Sequence, residues 1–463
     1  MVDLTTGSPG KRIFSFAIPL LIGSVFQQLY NVVDSIIVGR VVGKEALAAI
    51  GNAFPIMLTL ISLIIGVAFG GTIIISQYFG AKDFEKVKRA IGTLYLLMFS
   101  LSIVFTIIGF LFLNPVLQLL DIPPDIYGPT KTYISIIIGG LVVFFGYNGT
   151  AAILRGLGDS KTPMVFMIIA TVFNILLDLL FVIGFGWGVA GAAIATLISQ
   201  GGAFLTAVIY LNRHHKLISI GIKHLAFDRE IFIQSLRIGL PTGFQQTFVA
   251  LGMMALLKIV NNFGTDVIAA YSVAGRIDAI AMTPAMIFSQ ALAAFVGQNV
   301  GAGRPDRIRT GLRMTFTMSA AVSVVLTATF ILTRHPLVGL FNQDPEVIRI
   351  GSQYLIIVSS CYLLFSGMFT INGLLRGAGD TLIPMFITLF ALWLVRIPGA
   401  IVLSKRFGEI GIWWAVPLGW MVGLILSYLY YLSGNWKRKS VVKTILVPDE
   451  PELAESPVTV KCN

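Results

Sequence analysis

A chain of 463 residues that is 56% hydrophobic and 12% charged holds about half the charge of a typical soluble domain. Its net charge of +11 comes from short basic loops, which set membrane topology and do not form a nucleic-acid surface. The two cysteines, Cys361 in an apolar run and Cys462 near the end, exclude a disulfide framework and a cysteine metal site.

Apolar runs of membrane-spanning length recur from end to end. They predict an all-α polytopic membrane protein with spans at 13–38, 52–78, 90–113, 130–154, 163–184, 188–211, 231–260, 268–296, 311–333, 348–374, 384–403 and 410–433. The first run continues to full spanning length, so it does not read as a cleaved signal peptide. It is also oddly polar: VFQQLYNVVDSIIV places Gln27, Tyr30, Asn31 and Asp34 at helical spacing on one face. Pro19, earlier in the same span, removes a backbone hydrogen bond and favours a bend.

The fifth span repeats the pattern, with Asn174 and Asp178 one turn apart. Asp178 lies about 9 Å from the outer end of that span, and Thr196 about 12 Å into the sixth, at 1.5 Å per residue. Asp34 is likewise in the outer half of its span. A compact site of Asp34, Asn174, Asp178 and Thr196 is therefore geometrically allowed. Carboxylates at membrane depth are rare and usually functional, and this set suits uptake and release of a proton or a small hard cation. In the eighth span, Arg276 and Asp278 are expected to form a structural pair with each other or with Lys258, and Arg396 in the eleventh to line a cavity or snorkel. The histidines, His214, His215, His224 and His335, fall in loops, and no nucleophile or phosphate-loop motif is present, so an enzyme is not expected.

Two motif pairs recur at one offset. SQYFGAKDFEKVKRA at 76 returns as GQNVGAGRPDRIRTG at 297, and LRGLGDSKTPM at 154 returns as LRGAGDTLIPM at 375, both 221 residues on. That shift spans six helices, an even number, so the halves are parallel repeats related by an axis along the membrane normal. The expected division is an N-lobe, 1–217, a C-lobe, 218–436, and a polar, disordered tail, 437–463. Lys and Arg, Arg376 and the basic residues after GAK and GAG among them, number 21 on one set of loops and 7 on the other. The richer side reads as cytosolic and solvated, with both termini on it.

The Pro19-x14-Asp34 spacing, the join from Ala293 to Arg307 and the paired LRGxGDxxxPM motifs together resemble the MATE (multidrug and toxic compound extrusion) family, over roughly residues 10 to 435. The acidic residues in the first half, with none in the seventh or tenth span, are most similar to its DinF-like branch. The resemblance implies twelve helices in two six-helix lobes and a monomeric, multi-pass cell-membrane antiporter without a cofactor. It implies export of amphiphilic, often cationic drugs or toxic compounds in exchange for H⁺ or Na⁺. It also implies a cation site at Asp34, Asn174, Asp178 and Thr196, with Tyr30 and Asn148 nearby and Gln27 and Asn31 toward the substrate cavity. The rival within the superfamily is a flippase for lipid-linked precursors. A strongly cationic cavity would mark it, and this sequence has an acidic pair instead.

Overall fold

The computed structural model describes residues 2–120, 122–214 and 226–442, and among them the regular structure is helical throughout. The helices are α1 (Pro9–Val41), α2 (Lys44–Gly80), α3 (Phe84–Leu119), α4 (Pro124–Gly139), α5 (Leu141–Gly156), α6 (Lys161–Asp178) and α7 (Gly188–His214). They continue with α8 (Arg229–Val260), α9 (Thr265–Gly301), α10 (Pro305–Gly339), α11 (Pro345–Ser359), α12 (Tyr362–Gly377), α13 (Leu382–Leu389), α14 (Ile397–Phe407) and α15 (Glu409–Ser433). Ten helical segments are long and apolar enough to cross a membrane, and two bent pairs bring the number to twelve. α3 turns Phe99, Ile107 and Leu111 outward, at 56%, 61% and 69% exposure. Such a band is stable against lipid, because the helix satisfies its own backbone.

The fourth and tenth spans, read from sequence as single helices, are broken. α4 meets α5 at 51°, and α11 meets α12 at 47°. The first break follows Gly139 and Gly140; the second follows Ser359 and Ser360, whose hydroxyls bond back to Leu355 and Ile356 carbonyls. Such back-bonding bends helices. Each break frees a carbonyl that a threonine satisfies: Thr106 Oγ1 donates to Ile138 O at 3.1 Å, and Thr327 Oγ1 to Ser359 O at 2.6 Å. The fifth and eleventh spans are also irregular, with π-helical stretches at Leu179–Gly184 and Phe390–Arg396.

α1 is anchored at two places. Ile13, Phe16 and Ala17 are buried with Phe288, Leu292 and Phe295 of α9. Ile37 and Val38 are buried with Val182, Val189 and Ala192 near the ends of the fifth and sixth spans. No residue from 20 to 33 is buried, and Pro19 is the last buried residue of the N-terminal anchor. The corresponding first helix of the second half, α8, packs most extensively on α2 instead, where Ser62 and Thr247 hydroxyls meet at 2.8 Å.

Three sequence expectations change here. Arg376 does not sit in a solvated loop: it is 8% exposed, donates to Gln245 Oε1 at 2.6 Å and lies over the Phe69 ring. Two of the basic residues after GAG, Arg304 and Arg307, are likewise engaged, whereas Arg309 and Arg313 are exposed as expected. Arg307 donates to Gly7 O at 2.8 Å and Leu4 O at 3.1 Å, and Arg304 to Thr5 O at 3.3 Å, which ties down the N-terminal segment. The tail does not begin in disorder: Asn435–Lys439 forms a 3₁₀ turn, Trp436 is buried, and Val441 N donates to Gln77 Oε1 at 2.7 Å. These segments order because they satisfy buried polar groups at helix ends, a need that composition does not reveal. Residues 443–463, and the part of the connector from 215 to 225, lie outside the described residues.

Candidate functional site

Asp34 sits near the C-terminal anchor of α1, Asn174 and Asp178 near the end of α6, and Thr196 on α7. α1 packs on α6 and α6 on α7, so the three helices bring these four side chains into one buried region. Their exposures are 6% for Asp34, 1% for Asn174, 0% for Asp178 and 3% for Thr196. Tyr30 and Thr196 hydroxyls are 2.7 Å apart, which links α1 to α7. Asp178 closes α6 where the π-helical stretch begins; such bulges occur frequently at functional sites.

Both carboxylate oxygens of Asp178, both amide atoms of Asn174 and Oδ1 of Asp34 are buried without a hydrogen-bond partner. Folded proteins rarely leave buried polar atoms unpaired, and each such atom costs roughly 1–3 kcal/mol. Four of the five are oxygens that can face a proton or a small cation, whereas the Asn174 amide nitrogen is a donor and needs an acceptor. The carboxylates accept a proton, and the carboxylate, amide and hydroxyl oxygens suit a hard cation such as Na⁺.

The polar stripe on α1 divides. Tyr30 and Asp34 turn inward, whereas Gln27 and Asn31 are exposed beside the unburied middle of the helix. Asn148 bonds back to Phe144 O at 2.9 Å, with no hydrogen bond to the acidic pair. Tyr133 on α4 joins the site within electrostatic range of Asp34 and Asp178. Sequence reasoning missed it, since only the packing of α4 on α7 brings that face inward.

The expected pairing of Asp278 with Arg276 is not formed. Residues two apart do not share a helix face, and Arg276 and Lys258 are both exposed while Asp278 is buried. Asp278 instead accepts hydrogen bonds from Tyr354 Oη, at 2.5 Å, and from Tyr362 Oη. One tyrosine comes from each side of the break between α11 and α12. Arg396, 7% exposed, lies within electrostatic range of Asp278 and is the nearby cation. At that burial it does not snorkel outward, and its Nε has no hydrogen-bond partner.

At the end of α2 and α9, Gln77 Nε2 donates to Gly377 O at 3.1 Å, and Gln298 Nε2 to Gly156 O at 3.2 Å. Gly80 and Gly301 make the crossing possible, since a Cβ on either would collide with the Gln298 or Gln77 carbonyl. The motif pair found in the sequence is thus a contact between its own two copies.

The model of the MatE family matches twice, over residues 19–180 and 241–402. The chain is 32% identical over 439 residues to "Probable multidrug resistance protein YoeA" of Bacillus subtilis (strain 168), covering 93% of this chain and 95% of that protein. It is also 32% identical over 435 residues to "Probable multidrug resistance protein YpnP" of the same organism, covering 94% and 97%. Among solved structures, "Outward-facing conformation of a multidrug resistance MATE family transporter of the MOP superfamily" superposes with a TM-score of 0.88 at 24% identity, covering 94% of this chain and 97% of that one. The chain therefore belongs to the MATE family, and it is a multi-pass membrane transporter rather than an enzyme.

Proposed function

We propose that this chain is a secondary antiporter that exports amphiphilic, often cationic compounds from the cell in exchange for H⁺, with Na⁺ able to share the same site. The four unpartnered oxygens on Asp34, Asn174 and Asp178 carry this reading. The relatives named for multidrug resistance support an export role. Two halves, 1–217 and 218–436, rock against each other about a central cavity, with both termini on the cytosolic side. The exposed Gln27 and Asn31 belong to the substrate cavity, where Tyr30 senses the cation site through Thr196. Coupling follows if the cation binds the two conformations with different affinity.

α1 is the element that changes. Its C-terminal, outer anchor carries Asp34 and its N-terminal, inner anchor grips α9, so Pro19 lies where bending separates the two. Cation binding at Asp34 and Asp178 reorganises the outer anchor and loosens substrate. An acidic buried pair in the first half disfavours a flippase for anionic lipid-linked precursors.

Proteoliposomes loaded with a lipophilic cationic dye test the reading. An imposed H⁺ or Na⁺ gradient should drive the dye against its own gradient. Dye movement that only dissipates its gradient would assign a channel or facilitator instead.

A further inference from the structure

A groove of about 1200 Å³ opens near the start of α10 and the end of α15, away from the acidic pair. α10 and α15 both pack on α12, whose Gly367 and Thr370 form part of the floor. Arg309 and Arg313 line one wall, one turn apart on α10, and Lys437 lines the other. None of the three forms a salt bridge among the described residues. Asp306 is the carboxylate at this rim, so the lining carries a net positive charge.

The wall bearing Lys437 is built by a reversal of the chain. Gly434 has φ 72°, a conformation in which glycine avoids Cβ strain. It turns the segment back so that Trp436 stacks on Tyr431 at 5.8 Å and donates from Nε1 to Tyr431 O at 3.0 Å. Tyr428 continues the stack at 6.4 Å. A turn further along α10 and α15 the lining becomes apolar: Phe316 and Ile425 are 42% and 49% exposed. One end is thus cationic and aromatic, and the other is apolar.

We propose that this groove binds an anionic phospholipid. The two arginines and Lys437 hold the phosphodiester, the tyrosine and tryptophan edges sit at headgroup level, and an acyl chain lies along Phe316 and Ile425. Basic pockets between transmembrane helices recognise lipid headgroups, and aromatic side chains concentrate at that depth. Three unpaired cations disfavour a cationic drug, and the apolar half gives a free phosphate nothing to contact. A bound lipid would bridge α10 and α15, which otherwise meet chiefly through α12.

The full chain, purified and delipidated in detergent, is mixed with equal amounts of phosphatidylglycerol and phosphatidylcholine of matched acyl chains. Retained lipid is then counted by native mass spectrometry. Phosphatidylglycerol should be retained preferentially. Arg309→Ala with Arg313→Ala should weaken that retention roughly 30-fold, taking about fivefold for each basic residue near a headgroup. Lys88→Ala with Arg89→Ala, an equal charge loss at the start of α3, should not weaken it. If the arginine variant fails to insert, Lys437→Gln gives the same reading at about fivefold. Equal retention of the two lipids, equal loss in both double variants, or displacement of phosphatidylglycerol by equimolar glycerol phosphate would each overturn the proposal.

Discussion

Gln77 and Gln298, 221 positions apart in the chain, make matching pairs of hydrogen bonds. Each amide nitrogen reaches the opposite half, at Gly377 O and Gly156 O. Each amide oxygen accepts from a terminal segment, Val441 N at 2.7 Å and Leu4 N at 2.9 Å. Leu4 and Val441 therefore close equivalent sockets where α2 crosses α9.

If the two halves rock as proposed, this crossing would act as a latch between them. Gln77→Ala leaves a buried carbonyl and a terminal amide unpaired, at a cost of roughly 1–3 kcal/mol. Spin labels at Glu85 and Asp306, exposed and at matching repeat positions, should report a new, longer-distance population in that variant. An unchanged distance distribution, with normal protein levels, would show that the crossing is rigid scaffold.

Asp278 should behave as a structural anchor. Tyr354→Phe and Tyr362→Phe each remove one donor from a buried carboxylate and should destabilise by roughly 1–3 kcal/mol. Arg276→Ala, at an exposed site, should stay within about 0.5 kcal/mol of wild type. Exchanging Arg276 and Asp278 should abolish stable insertion, because a buried arginine would then face the two tyrosines. Thermal unfolding in detergent measures all four; a swap as stable as wild type would restore the simple ion-pair view.

Pro19 is the test of bending. Labels at Phe14 and Gln28, both exposed on α1, bracket it. Their separation should change with pH in wild type and stay fixed in Asp34→Asn. Pro19→Ala should lower export while leaving cation binding intact. Identical pH responses in wild type and Asp34→Asn would remove the trigger role from Asp34.

The helical spans and the repeat were legible because each follows from a local rule, whereas Asp34, Asn174, Asp178 and Thr196 could be grouped only by shared depth and by the family resemblance. Spanning length marks a helix, motif spacing marks a repeat, and i, i+4 spacing puts Asn174 beside Asp178. The broken fourth and tenth spans were not legible, since hydropathy stays high through Gly140 and Cys361 whether or not the helix bends. Asp278 was misassigned because Arg276 is its neighbour in sequence, whereas its true partners, Tyr354 and Tyr362, lie in another span. Arg376 and Arg307 read as loop charges for the same reason: their acceptors belong to α8 and to the N-terminal segment.

The acidic pair carries the central claim, and gradient-driven efflux in proteoliposomes measures it most directly. Wild type should export a cationic substrate several-fold faster when an inward H⁺ or Na⁺ gradient is imposed. Asp34→Asn and Asp178→Asn should each lose that stimulation while inserting normally, and Thr196→Ala should lose part of it. Because the two carboxylates act as a unit, the double variant should be scarcely worse than either single. Full gradient stimulation in Asp34→Asn or Asp178→Asn would contradict the account and place coupling elsewhere in the protein.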